Sequence, residues 1–176
     1  MPPETLELAA GPRTDLFRPP DGGAPTANAT LELRDVAGDF RLQARVSARL
    51  EATFDAAALV VLAAPDAWGK LGFERSPEGK ATVVSVVTRG LSDDANATTV
   101  DEDSVWLRIA RTGDTIAFHA STDGERWSLI RWFTFPDARA ARAGFLVQSP
   151  TGDGLVGRFD EIAWSNEPLR ELRDGS

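Results

Sequence analysis

The sequence predicts an all-β protein built as a sandwich of two antiparallel sheets. About ten runs of strand length alternate between apolar and polar residues, and turn residues separate them. No segment keeps the 3.6-residue period of an amphipathic helix over about ten residues. Short strands at regular spacing without a long helix are typical of β-sandwiches.

The clearest strand pattern lies in residues 105–135. Two alternating runs flank the turn residues Thr112–Asp114, and a third run follows Ser121–Gly124. The Asp-Gly pair in the second turn favours a tight hairpin, because glycine adopts a positive φ at low cost. Two further runs, Ala143–Ser149 and Leu155–Trp164, follow these three strands and complete the sheets.

The strands before this stretch differ in how their apolar residues are spaced. Phe40–Val46 alternates, so one face of this strand is predicted to be buried. Ala56–Ala63 is continuously apolar, which indicates a central strand covered on both faces. Trp68–Arg75 and Ala81–Arg89 form the next predicted pair, and Asp93–Asp103 is predicted to be an acidic loop.

The two ends of the chain are polar or rich in proline and glycine. Residues 1–30 are predicted to be a loop-rich segment with a possible edge strand at Thr5–Ala9. The sandwich domain is predicted to span residues 31–165. Residues 166–176 form a polar tail that is expected to fray or to dock a helical turn.

Composition argues against several classes of function. The net charge of −8 and the pI of about 4.7 disfavour nucleic-acid binding, which needs a basic surface. No apolar run has the length of a membrane span, and the first thirty residues contain no apolar leader. We therefore expect no nucleic-acid or membrane partner and a cytoplasmic location.

The sequence also predicts neither a metal centre nor a cofactor. It contains no cysteine and a single histidine, so a thiolate or multi-histidine zinc site cannot form. The carboxylates of residues 93–103 lack the EF-hand spacing, which leaves calcium binding there open. Gly152–Gly157 matches the dinucleotide fingerprint as a string, but a strand pattern follows it where that fold needs a helix.

Several short motifs carry a family resemblance. They are Gly38–Phe40, Trp68–Glu74, Ser85–Asp93, Trp106–Ile109, Arg111, His119, Ser121, Asp123–Gly124 and Trp127. In this order and spacing they resemble the regulation-of-enolase-protein family, over about Gly38 to Trp164. The resemblance implies a concanavalin A-like jelly roll, the fold of lectins and glucanases. The family name also implies a protein-interaction module that modulates a metabolic enzyme.

Retaining glucanases of this fold show which residues a catalytic site would need. Their mechanism needs two carboxylates on one face of a strand, about 5 Å apart. Glu74 lacks such a partner, because Gly72 and Ser76 occupy the matching positions. Asp160 and Glu161 are adjacent and so point to opposite faces. No catalytic residue is assigned, and a glycan-acting enzyme that uses Glu74 stays an alternative.

Aromatic and polar side chains share the outward-facing positions of several predicted strands. The candidate ligand-binding residues are Trp68, Lys70, Glu74, Trp106, Arg108, His119, Arg131 and Gln148. If their strands are neighbours in one sheet, these side chains form a single patch on the concave sheet face. Stacking rings beside planar polar groups favour a non-catalytic module that binds a carbohydrate or a sugar-phosphate. The competing interpretation is an ordinary amphipathic sheet face.

Overall fold

The computed structural model describes residues 4–176 and contains two six-stranded antiparallel sheets. The strands are β1 (Glu4–Ala10), β2 (Leu16–Phe17), β3 (Thr26–Ala27), β4 (Thr30–Asp35), β5 (Phe40–Ala48), β6 (Ala56–Ala64), β7 (Ala67–Arg75), β8 (Ala81–Arg89), β9 (Leu91–Thr99), β10 (Ser104–Thr112), β11 (Thr115–Ser121), β12 (Ser128–Phe133), β13 (Arg142–Gln148) and β14 (Leu155–Ser165). The first sheet has the order β1-β14-β5-β10-β11-β12, and the second has the order β4-β13-β6-β7-β8-β9. The predicted all-β sandwich is confirmed.

The main core lies between the two sheets. The alternation of β5 is confirmed, because Phe40, Leu42, Ala44 and Val46 are all buried in this core. β6 lies inside the second sheet between β13 and β7, and its apolar side chains are covered on both faces. The continuous apolar run over Ala56–Ala63 had predicted such a strand.

A second apolar cluster covers the outer face of the second sheet, meaning the face that points away from the first sheet. It contains Leu16, Val60, Trp68, Val86 and Leu146. Leu16 belongs to the short β2–β3 hairpin, so this hairpin lies over the sheet. The second sheet is therefore covered on its outer side as well, and this cover forms part of the candidate site.

The turn between β11 and β12 has the predicted geometry. Gly124 has a φ of +76°, and a Cβ there would come within 2.7 Å of a ring carbon of Trp106. The Asp123 carboxylate accepts hydrogen bonds from the amides of Glu125 and Arg126 at 2.9 and 2.8 Å. These bonds lower the pKa of Asp123 to about 2. This motif fixes the hairpin.

Two segments differ from the sequence prediction. Residues 91–99 form β9, so the prediction of a loop over Asp93–Asp103 is wrong for most of that range. β9 pairs with β8 at the edge of the second sheet, where exposed polar side chains are tolerated and discourage aggregation. Residues 166–176, which we call the C-terminal segment, fold back onto the first sheet, and Gly175 is buried there.

The helical content of residues 4–176 is one three-residue turn, Ala138–Ala140. No helix in this part of the chain has the length and apolar character needed to cross a membrane.

Candidate functional site

The eight predicted ligand-binding residues do not form one patch, because their strands belong to different sheets. Those on the outer face of the second sheet are Trp68, Lys70, Glu74 and Gln148. Those on the outer face of the first sheet are Trp106, Arg108 and His119. The two outer faces point in opposite directions across the sandwich, so the predicted single surface is corrected to two separate ones.

Two of the predicted residues, Trp68 and Arg131, have roles in the fold. Trp68 is 0% exposed and packs against Leu16 and Val86 beneath the β2–β3 hairpin, so its ring is not an open stacking platform. Arg131 reaches from the first sheet to the edge of the second, where Nη2 lies 2.8 Å from the Asp93 carboxylate. Arg131 therefore joins the two sheets at one edge of the sandwich.

The remaining three residues of the second sheet meet in a pocket of about 150 Å³. Its lining residues are Asp15, Phe17, Phe54, Lys70, Glu74, Val86, Asp94 and Gln148. β7 supplies Lys70 and Glu74, and β13 supplies Gln148. The β2–β3 region and the loop before β6 supply the aromatic walls. We call this cavity the Lys70 pocket.

Lys70 organises the floor of the pocket. Its side chain is only 5% exposed, and Nζ donates to the Leu16 carbonyl at 2.7 Å and to Gln148 Oε1 at 2.8 Å. Nζ also lies 3.5 Å from Asp15 Oδ1. A buried ammonium needs such partners because its desolvation is costly. These contacts tie β2, β7 and β13 together and fix the position of the charge.

Glu74 lines the same pocket as Lys70, and its carboxyl group has a raised pKa. Burial raises the pKa of its carboxyl group to about 8, and this effect outweighs the opposing charge of Lys70. The carboxylates of Asp94 and Asp15 raise the pKa further. Burial also raises the pKa of Asp94. A neutral Glu74 can donate a hydrogen bond as well as accept one.

Phe54 stands at the rim with an unusual backbone. Its φ is +68°, which is strained for a bulky side chain, and its side chain is 41% exposed. The backbone is held in place because its N–H donates to the Arg75 carbonyl at 2.8 Å. Its carbonyl accepts from Gln148 Nε2 at 3.4 Å. The Phe54 ring is therefore held at the rim of the Lys70 pocket by a fixed backbone.

A family comparison agrees with this fold. Residues 2–167 match the model of the DUF1349 family, whose description is 'protein of unknown function'. The chain belongs to the DUF1349 family. The name regulation-of-enolase, which the sequence motifs resembled, is not confirmed. No curated protein matches the chain in sequence.

Solved structures resemble this DUF1349 chain over most of its length. A functionally unknown protein from Saccharomyces cerevisiae is 26% identical with a TM-score of 0.85, over 93% of this chain and 88% of that one. A xylan β-1,4-xylosidase from Bacillus halodurans is 15% identical with a TM-score of 0.70, over 90% of this chain. An alginate lyase from Klebsiella pneumoniae is 14% identical with a TM-score of 0.54, over 73% of this chain and 60% of that one.

These similarities confirm the jelly-roll type of sandwich and show that carbohydrate-active proteins also use it. The DUF1349 chain spans 32% of the length of the xylosidase. At this low identity the similarity concerns the fold alone, and the functional argument depends on the site itself.

The charges of the Lys70 pocket restrict its ligands. Asp15, Glu74 and Asp94 surround a single ammonium group, so the pocket offers no excess of positive charge. Within residues 4–176, no group of three histidine, cysteine or acidic residues is arranged to hold a metal ion. The arrangement suits a ligand that carries hydroxyl groups and an apolar face.

Five of the lining residues were not predicted as ligand contacts, namely Asp15, Phe17, Phe54, Val86 and Asp94. Asp15 and Phe17 lie between β1 and β4, in a segment that was predicted to be loop-rich. Phe54 lies in the loop before β6, and Val86 lies on β8. Asp94 was assigned to an acidic loop, whereas it points from β9 into the pocket. No periodicity in residues 1–30 indicated that Asp15 and Phe17 cover the second sheet.

Other parts of the chain cover the predicted residues of the first sheet. The Arg108 guanidinium stacks 3.7 Å from the ring of Trp127, and His119 Nε2 lies 2.7 Å from the Leu172 carbonyl. The C-terminal segment of this DUF1349 chain therefore closes the face on which Arg108 and His119 lie. Trp106 is half-buried beneath the Gly124 turn. The Lys70 pocket is thus the more open of the two predicted surfaces.

Proposed function

We propose that this chain is a non-catalytic module that binds an uncharged carbohydrate in the Lys70 pocket. The observation that carries the proposal is the combination of an aromatic rim, Phe17 and Phe54, with a polar floor, in which Lys70 and Gln148 are buried and Glu74 is partly buried. A sugar ring presents C–H groups on its faces and hydroxyl groups at its edges. This pocket offers a complementary group for each.

The chemistry assigns a task to each side of the pocket. The ring of Phe54 is exposed at the rim and is available to pack against the face of a sugar. Neutral Glu74 donates to a hydroxyl oxygen, whereas Asp94 and Gln148 supply acceptor oxygens. The volume of about 150 Å³ is below the roughly 300 Å³ of an ordinary small-molecule pocket. We therefore expect a single sugar ring to enter it.

The same charges disfavour the sugar-phosphate that the sequence left open. A phosphate in this pocket would meet the carboxylates of Asp15 and Asp94, and the only ammonium lining it, Lys70, already has three partners. An acidic sugar meets the same repulsion. We expect xylotriose, which is uncharged, to bind more tightly than an alginate trisaccharide.

Phe54→Gly tests the role of the rim. Glycine accepts the φ of +68° without strain, so the substitution removes the ring and leaves the backbone conformation in place. Loss of the stacking contact is expected to weaken xylotriose binding by about 1 kcal/mol, or roughly fivefold, by isothermal titration calorimetry. The exposed Trp132, on the first sheet, gives the control Trp132→Ala, which should bind as the wild type does. Equal affinity of Phe54→Gly and the wild type would contradict the proposal.

The state of Glu74 favours a second candidate, a glycan-acting enzyme. A carboxyl group with a pKa of about 8 near a second carboxyl group, that of Asp94, resembles a general acid paired with a base or nucleophile. Hydrolysis of aryl xylosides distinguishes the two candidates. A binding module shows no turnover, and Glu74→Gln retains affinity because glutamine resembles the neutral carboxyl group. An enzyme shows turnover that Glu74→Gln abolishes. A protein-interaction role and a cytoplasmic location stay predictions.

A further inference from the structure

The outer face of the first sheet holds a buried cation whose partners are neutral. Arg108 is 7% exposed, and its Nε and Nη2 donate to Gln43 Oε1 at 3.1 and 2.8 Å. Its Nη1 donates to the carbonyl of Gly175, and its guanidinium stacks on Trp127. Within residues 4–176 no carboxylate forms an ion pair with it. Burying a guanidinium without an anionic partner is costly, and an oxyanion pairs with it more strongly than a neutral group does.

A second buried polar side chain, His119, lies beside Arg108, and its Nε2–H is the donor that an oxyanion would use in place of the Leu172 carbonyl. His119 is 0% exposed, and its Nε2 carries the proton because it lies 2.7 Å from the Leu172 carbonyl. Its Nδ1 is buried and has no hydrogen-bond partner within residues 4–176. Burial lowers the pKa of His119, and the neighbouring Arg108 lowers it further, whereas the Leu172 carbonyl and Asp174 raise it. The cleft thus contains a buried imidazole next to a guanidinium whose partners are all neutral.

The cover of this cleft is a small polar loop. The C-terminal segment contacts these two side chains through the carbonyl oxygens of Leu172 and Gly175. Its other backbone bonds are internal, such as Gly175 N–H to the Glu171 carbonyl at 3.0 Å. A carbonyl oxygen is a weaker partner for a guanidinium than an oxyanion. The segment therefore occupies the place that a carboxylate or phosphate oxygen would fill more strongly.

The surrounding charges agree with an anionic ligand. Arg41 also faces this surface, and its charge contributes to the lowered pKa of Arg108. The segment brings two acids to the same face, since Glu167 lies 3.6 Å from Arg41 and Asp174 interacts with His119. When the segment leaves, Arg41 loses its partner Glu167, and Arg108 loses the Gly175 carbonyl. An incoming oxyanion replaces these partners.

We propose that Gln43, Arg108, His119 and Trp127 form a second binding site, for a carboxylate or phosphate group, which the C-terminal segment covers until the ligand displaces it. The site lies on the sheet opposite the Lys70 pocket and does not depend on the carbohydrate proposal. This second site is expected to prefer an anion, whereas the Lys70 pocket is expected to prefer an uncharged sugar.

The variant Gly175→Ala opens the cleft in the full chain without changing the sheet. Gly175 has a φ of +71°, and a Cβ there would lie 2.9 Å from Trp127 Cβ and 3.2 Å from His119 Cδ2. The matched control is Gly22→Ala, where φ is +84° and a Cβ meets nothing within 4 Å. Both variants carry the same backbone strain, but only the first pushes the segment off the cleft.

Inorganic phosphate and acetate serve as probes, and the NMR signals of Arg108 Nε–H and the His119 ring report binding. We expect Gly175→Ala to bind phosphate about tenfold more tightly than the wild type or Gly22→Ala, because the ligand no longer competes with the segment. Adding Arg108→Gln to Gly175→Ala should abolish the response. The relative affinities of phosphate and acetate distinguish a phosphate ligand from a carboxylate ligand. Sodium chloride at equal ionic strength corrects for screening.

Equal phosphate affinity in Gly175→Ala and the wild type would overturn the proposal, as would binding that survives Arg108→Gln. If Gly175→Ala does not fold, titration of the wild type decides. Phosphate should then shift the His119 ring signals and the Gly175 amide signal together, since binding and displacement are one event. Signals that do not move, or that move equally with sodium chloride, would overturn the proposal.

Discussion

Replacing Arg111 with methionine is expected to lower the free energy of unfolding by about 3–5 kcal/mol. Arg111 is 1% exposed, and its guanidinium donates only to backbone carbonyl groups. These belong to Val36, Gly38, Ala138, Arg139 and Ala141. The first two lie between β4 and β5 and the others between β12 and β13. The substitution removes the buried donor that these two loops share.

Chemical denaturation measures this effect as a lower denaturant concentration at the midpoint of unfolding, with an unchanged m-value. The exposed Arg142 on β13 provides the control Arg142→Met, which should change stability by less than about 0.5 kcal/mol. A loss below about 1 kcal/mol in Arg111→Met would show that these loops hold together without the guanidinium.

Glu74→Gln is expected to stabilise the protein at alkaline pH. The pKa of Glu74 is about 8 in the folded chain, against an ordinary value of 4.5. Between these values the folded state holds a proton that the unfolded state has released, so stability falls as pH rises. This loss of folding stability is absent below pH 4.5 and reaches its full size above pH 8. Between these values it grows by up to about 1.4 kcal/mol per pH unit. Glutamine cannot ionise, so the variant lacks this loss.

Denaturant unfolding between pH 5 and pH 8.5 tests this expectation. Glu74→Gln should become more stable than the wild type by about 3–5 kcal/mol at the upper end of this range, while the two stay close at the lower end. The control Glu125→Gln replaces an exposed glutamate in the β11–β12 turn and should follow the wild type. Parallel pH profiles for wild type and Glu74→Gln would show that Glu74 ionises normally.

The fold was predictable wherever local pattern decides burial. The alternation in Phe40–Val46 and the continuous apolar run in Ala56–Ala63 each specify how many faces are covered, and both strands form as predicted. β9 was missed because its residues are polar and its strand form depends on pairing with β8. An edge strand of this kind has no apolar period to detect.

The candidate site was predictable only within single strands. The shared side of Lys70 and Glu74 follows from strand parity, and the structure places both in one pocket. Parity does not say which strands are neighbours, so β7 and β10 were wrongly combined into one surface. The left-handed backbone of Phe54 and the docking of the C-terminal segment over Arg108 are tertiary features, and no local pattern encodes them.

The most direct test of carbohydrate binding is to map where xylotriose binds on the wild-type protein. Titration followed by amide chemical shifts reports every strand in one experiment. Binding in the Lys70 pocket predicts that the largest shifts fall on Phe17, Phe54, Lys70, Glu74 and Gln148, and that signals of the first sheet stay in place. Xylotriose shifts confined to β10 and β11, or no shift with any uncharged glycan, would contradict the assignment of this pocket as a sugar site.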